Sequence, residues 1–161
     1  MSLALQENLS LKPFNTFGVD VPARLFAEAS NDQQVREALA LAVQRELPLL
    51  VIGGGSNLLL TGAVEALVLR MASRGLRILS DDGERVVVEA EAGEPWHPFV
   101  QWSLAQGLAG LENLSLIPGT VELEWNLLID LYEYISTTPA ELQLIRQIDP
   151  IKIVKDDRAG K

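Results

Sequence analysis

An α+β fold with an α/β-like first lobe is the architecture that the sequence predicts, and three observations carry it. Residues 23 to 52 run strand-like, helical and strand-like in turn, residues 76 to 90 read as a hairpin, and the glycine content collapses after Val121. Eleven of the twelve glycines precede that valine, so the last forty or so residues form a tail of different material.

Ala23 to Ala29, ARLFAEA, alternates enough for a strand. Ser30, Asn31 and Asp32 are residue types that cap a helix, because a short polar side chain accepts from the free amides of the first turn. Val35, Ala38, Leu39, Ala42 and Val43 then recur at helical spacing, which predicts a helix over Gln33 to Arg45. Leu47 to Ile52 and Ala66 to Met71 read as apolar strands, giving a βαβ-like beginning.

Leu76 to Leu79 and Arg85 to Ala90 flank a Ser-Asp-Asp-Gly turn at Ser80 to Gly83. Pro98 to Gln106 reads as a helix with Phe99, Trp102 and Leu104 as its apolar contacts and Gly107 as its stop. Gly107 to Val121 reads as a loop-rich continuation. In the tail, Leu127, Leu128, Leu131 and Ile135 share a helical face. Thr138, Pro139 and Glu141 form a capping box for a second helix to about Ile148, and Ile151 to Lys155 reads as a short strand.

Composition narrows the function. At 161 residues, with 48% hydrophobic and 22% charged residues, the chain has enough material for a buried core. Its formal net charge of -9 repels phosphate backbones and anionic membranes, so neither nucleic acid nor a membrane is expected as a partner. With no cysteine, thiol catalysis and thiolate metal sites are excluded. The first residues lack the pattern of a secretory leader, which makes a cytoplasmic protein the expectation.

LLVIGGGSNLLLT, from Leu49 to Thr61, sets three glycines between aliphatic runs. It is not a Walker loop, since no Lys-Ser or Lys-Thr follows, and Leu58 stands where a dinucleotide fingerprint needs its third glycine. Two readings stay open on the residues alone. One is a buried turn; the other is a loop whose bare amides, with Ser56 and Asn57, approach a diphosphate diester.

Three segments in order, NTFGVDVPARL at Asn15 to Leu25, VIGGGSNLL at Val51 to Leu59 and GLAGLENLSLIPGTV at Gly107 to Val121, give the chain a resemblance. It resembles the amino-terminal part of the UDP-N-acetylenolpyruvoylglucosamine reductase family, MurB, over roughly two thirds of its length. That resemblance implies a vanillyl-alcohol oxidase/PCMH-type FAD-binding fold, here incomplete and followed by a helical tail. It divides the chain at 1–72, a first FAD-binding lobe, 73–121, the start of a second, and 122–161, a tail outside the family. Gly53, Gly54, Gly55, Ser56, Asn57 and Leu58 become the FAD pyrophosphate loop, and Ile117, Pro118, Gly119 and Thr120 the flavin side.

The family's activity would make this an FAD-dependent reductase of peptidoglycan precursor synthesis, with NADPH as co-substrate and a nucleotide sugar as substrate. After Val121, however, the family's Gly-Ala-rich continuation is replaced by ELEWNLLIDLYEY. The arginine, serine and glutamate that the family uses in catalysis have no counterpart here, so no residue is expected to be catalytic and FAD to be held weakly if at all. The alternative is a cofactor-free interaction module whose tail helices cover exposed apolar surface or join two copies.

The other candidates read as structural. His97, the only histidine, lacks metal partners at ligand spacing and reads as a surface or helix-start residue. Trp96 and Trp102 read as packing residues, Asp81, Asp82 and Glu84 as solvated turn carboxylates, and Glu89, Glu91 and Glu94 as an exposed strand face.

Overall fold

The computed structural model describes residues 3–83, 85–121 and 151–155, arranged around two four-stranded sheets. Its strands are β1 (Leu5–Ser10), β2 (Pro22–Ala29), β3 (Leu49–Ile52), β4 (Val64–Met71), β5 (Leu76–Asp81), β6 (Arg85–Ala90), β7 (Leu108–Ala109) and β8 (Ile151–Lys155). Two helices accompany them, α1 (Asp32–Gln44) and α2 (Trp96–Ala105). The tail helices expected over Glu122 to Ile135 and up to Ile148 lie outside the described residues, as does Glu84.

The first sheet has the order β1-β2-β4-β3, with β1 antiparallel to β2 and the other pairs parallel. The βαβ-like beginning is present as β2-α1-β3, but β4 is inserted between the two strands. Its central strands are buried on both faces, as parallel strands covered on each side must be. Leu25, Ala27, Ala29, Leu67 and Leu69 pack with Ala38 and Ala42 of α1, while Phe26 and Val68 pack with Leu11, Ile52 and Leu60 on the other face.

Helix α1 starts as its residues require. The Asn31 side chain accepts from the Gln34 amide at 3.1 Å, satisfying one free donor of the first turn. Val43, expected on the apolar face, is instead 78% exposed, and Leu41 packs partly against the core in its place. Alanines at 38 and 42 let the helix lie close to the sheet and define its stripe; Val43 falls outside that stripe.

The second sheet, β5-β6-β8-β7, is antiparallel throughout. Its hairpin is the expected one, with β5 running on through Ser80 and Asp81. Asp81 accepts from the Gly83 amide at 2.9 Å and Asp82 from the Arg85 amide at 2.7 Å, so these carboxylates hold the turn. Strand β8, from the tail, lies between β6 and β7, with Ile153 opposite Val86 and Val154 opposite Ala109.

Helix α2 begins two residues before the expected Pro98, because proline is tolerated throughout a first turn whose amides have no intrahelical partner. Phe99 and Val100 are fully buried with Val86, Val88, Leu108 and Val121. Trp96 meets Phe99 edge-on at 5.6 Å, and Trp102 stacks on Phe99 at 6.4 Å, so both tryptophans are packing residues. Leu104, expected as a contact, is exposed. Gly107, at φ +72°, ends the helix.

The glutamate run is not one exposed strand face. Only Glu89 lies in a strand, where it pairs with Arg77 across the hairpin. Glu94 accepts from the Gly75 amide at 2.7 Å and lies 3.7 Å from the Arg74 guanidinium, tying the segment after β4 to the segment before α2. Alternation along the sequence cannot reveal a partner from another strand's end.

Candidate functional site

The glycine segment leaves the carboxyl end of β3, the edge of a parallel sheet where backbone amides point outward at ligands. Gly53 and Gly55 are buried and Gly54 is exposed. Gly55 adopts φ +65°, and a Cβ there would lie 2.0 Å from the Phe14 carbonyl oxygen. Only glycine fits that position.

The opposing surface is the turn after β1. Asn15, buried, donates through Nδ2 to the carbonyls of Leu11 at 2.7 Å and Val19 at 2.9 Å, and its Oδ1 accepts from the Val19 amide at 2.9 Å. So fixed, the turn presents the Thr16 amide to the Gly55 carbonyl at 3.1 Å, with the Thr16 hydroxyl 3.4 Å from the same oxygen. The Asn-Thr-Phe-Gly motif therefore shapes the glycine loop, a role that its sequence alone did not reveal.

The second segment follows β7 of the second sheet and faces the first. Ser56 donates through Oγ to the Pro118 carbonyl at 3.1 Å, and a Cβ on Gly54 would stand 3.4 Å from Gly119 Cα. Gly119, at φ +132°, accepts from the Trp96 amide at 3.0 Å, and the Val121 amide donates to the Glu94 carbonyl at 2.9 Å. The two segments singled out in the sequence are thus brought together backbone to backbone.

Not all ten residues face this gap equally. Leu58 and Ile117 are half-buried, packed against clusters beside the first and second sheets respectively, while Asn57 and Pro118 are exposed. Among the described residues, the amides of Gly54, Gly55, Ser56 and Asn57 donate to no main-chain oxygen. Neither segment carries an ionisable side chain. What the gap offers a ligand is oriented amide dipoles and hydroxyls, which suit a dispersed negative charge such as a phosphodiester.

One orphan points the same way. The Thr120 hydroxyl is buried without a hydrogen-bond partner among the described residues, and its Cγ2 is 3.9 Å from where a Gly54 Cβ would be. A buried hydroxyl left unpaired costs about 1–3 kcal/mol, so a partner group beside it is expected. His97 stands at the second position of α2, half-buried, where a helix-start residue was expected.

Residues 23–122 match the model of a family described as FAD binding domain. Over 121 residues the chain is 75% identical to the UDP-N-acetylenolpyruvoylglucosamine reductase of Pseudomonas fluorescens and 75% identical to that of Pseudomonas aeruginosa. Each match covers 75% of this chain and 36% of the relative, so the chain spans about a third of the length of these curated relatives. A solved structure of the reductase MurB from Thermus caldophilus matches with a TM-score of 0.55 at 28% identity, covering 74% of this chain and 40% of that one. Among the described residues, no helix is long and apolar enough to cross a membrane.

Proposed function

We propose, from the premise that this chain belongs to the FAD binding domain family, that its two facing loops cradle the pyrophosphate and flavin side of FAD in a MurB-type reductase. In this reading residues 1–72 are the first FAD-binding lobe, 73–121 begin the second, and 122–161 are a tail outside the family. The observation that carries it is the meeting of Gly53–Asn57 with Ile117–Thr120 across the two lobes, with Gly54 against Gly119 and Ser56 bonded to Pro118.

Free amides of Gly54 to Asn57 would hold the pyrophosphate, and the Thr120 hydroxyl would find its partner on the cofactor. Bound flavin would supply hydride transfer between NADPH and the substrate, UDP-N-acetylglucosamine enolpyruvate, giving UDP-N-acetylmuramate for peptidoglycan. The protein's part is positioning: the Asn15 turn fixes Gly55, and the Trp96 amide fixes Gly119. No described residue is assigned proton delivery, so we propose a chain that holds FAD, if weakly, and does not by itself turn over. Its place of work is the cytoplasm.

The test is a titration of the purified full chain with FAD, read as bound-flavin visible absorbance and fluorescence change. Binding is expected, and Gly54→Val, which drives side-chain atoms into Gly119, should weaken it about tenfold. A chain that leaves the FAD spectrum unchanged refutes the reading.

A second reading concerns the tail, and one observation favours it: β8 occupies the position between β6 and β7. We infer that the tail closes the second sheet, within one chain or by joining two. Removal of residues 122–161 should then lower solubility or change the mass in solution; no change in either argues against it.

A further inference from the structure

Leu116 is the one residue of the loop before Pro118 with a strained backbone, at φ +67°, and its side chain is 77% exposed. A leucine in the left-handed region is disfavoured, and no burial compensates it here. Something must hold it. The Leu116 amide donates to His97 Nδ1 at 3.3 Å, and the Ser115 hydroxyl lies 3.1 Å from the same nitrogen.

An amide can only donate, so this contact requires Nδ1 to be an acceptor and places the ring proton of a neutral imidazole on Nε2. The neighbouring Trp96 grips the loop on either side, its Nε1 donating to the Leu114 carbonyl at 2.8 Å and its amide to the Gly119 carbonyl at 3.0 Å. Of these three ties, only His97 reaches the residue whose backbone is strained.

We propose that His97 is a positioning residue: by accepting from Leu116 it holds the left-handed bend that aims Ile117 to Thr120 at Gly54 and Ser56. Its consequence for FAD rests on the proposed function; its hold on the loop does not. The sequence hid this role because it depends on a partner nineteen positions away.

The experiment uses the full chain labelled with nitrogen-15. In its neutral form the His97 ring should carry its proton on Nε2 and leave Nδ1 bare, and the Leu116 amide should be protected from exchange. His97→Asn keeps an acceptor oxygen near the place of Nδ1, whereas His97→Leu keeps bulk without an acceptor. Both remove the ring's packing, so their difference isolates the acceptor. Leu116 exchange should rise about tenfold in His97→Leu and return toward the wild-type rate in His97→Asn, with FAD Kd following the same order. A neutral ring protonated on Nδ1, an unprotected Leu116 amide in the unaltered chain, or equal exchange in the two variants overturns the proposal. If no form binds FAD while Leu116 exchange behaves as stated, the FAD reading fails and the positioning role stands.

Discussion

Gly55→Ala is the substitution that most directly tests how the glycine loop is built. Three costs add. An alanine at φ +65° costs about 1–2 kcal/mol relative to glycine through its own backbone. Its Cβ would stand 2.0 Å from the Phe14 oxygen, where 3.0 Å is the practical limit, so two backbone segments must part by about 1 Å. Forced displacement inside a packed region costs about 1–3 kcal/mol. The same movement weakens the Thr16 amide bond to the Gly55 carbonyl, for about 0.5–1.5 kcal/mol more.

The sum, about 2.5–6.5 kcal/mol, is a large part of a typical domain stability of about 5–15 kcal/mol. Urea unfolding, followed by tryptophan fluorescence, measures it. Two internal controls separate the terms. Gly18 has a similar φ of +64° with nothing within 4 Å, so Gly18→Ala should show the backbone cost alone, about 1–2 kcal/mol. Gly62 has open space and no positive φ, so Gly62→Ala should be close to neutral. If Gly55→Ala falls within about 1 kcal/mol of Gly18→Ala, the contact with Phe14 is not what fixes the loop, and the reasoning fails.

Three further outcomes follow from the same geometry. Asn15→Leu strips the Val19 amide and carbonyl of their partner, leaves the Leu11 carbonyl with the Phe14 amide alone, and should lower stability by about 2–4 kcal/mol in urea unfolding, weakening FAD binding through the displaced Gly55 turn. Phe99→Ala removes a fully buried ring held between Trp96 and Trp102 and should cost about 3–5 kcal/mol; a loss below about 1.5 kcal/mol would mean that the cluster around Phe99 is loosely packed. The Glu37 carboxyl is held below its ordinary 4.5 by donation from the Gln33 side chain and the Leu3 amide, so its small stabilisation is complete above that value and lost as pH falls through the lowered one. Carbon-detected titration of Glu37 should show that lowered midpoint, and Glu37→Gln, which keeps an acceptor oxygen but cannot be protonated, should remove the loss of Leu3 amide protection on the acid side.

Local features of this fold were legible because short-range chemistry decides them. Asn31 caps α1 through a bond three residues away, and the Asp-Asp-Gly turn closes through bonds within four residues. Features set by distant partners were not. Nothing along the chain says that β4 enters between β2 and β3, since the sheet order follows from which faces must be buried, and β2 and β4 are buried on both. Glu94 looked solvated because its partners, Gly75 and Arg74, come from the far side of a hairpin. In the site, composition flagged Gly55 as special, but the atom that demands glycine is a carbonyl forty-one positions upstream.

That dependence on distant backbone bears on what the chain can do. Two walls of the candidate cradle lie within residues 3–121: the Asn15 turn and glycine loop beside the first sheet, the Trp96-anchored segment beside the second. Their approach uses glycine against glycine and serine against a carbonyl, and neither segment carries a charged side chain. A cradle of amides is preorganised by the fold itself, so its strength depends on how rigidly the two lobes meet. Proton delivery has a different requirement, a titratable side chain at a fixed place beside the substrate, and neither loop carries one. Holding the cofactor and turning it over are therefore separable in this architecture. Substitutions that loosen the support of the second wall, such as Glu94→Ala, which removes the acceptor of the Gly75 amide and the partner of Arg74, should weaken FAD binding although they touch neither loop.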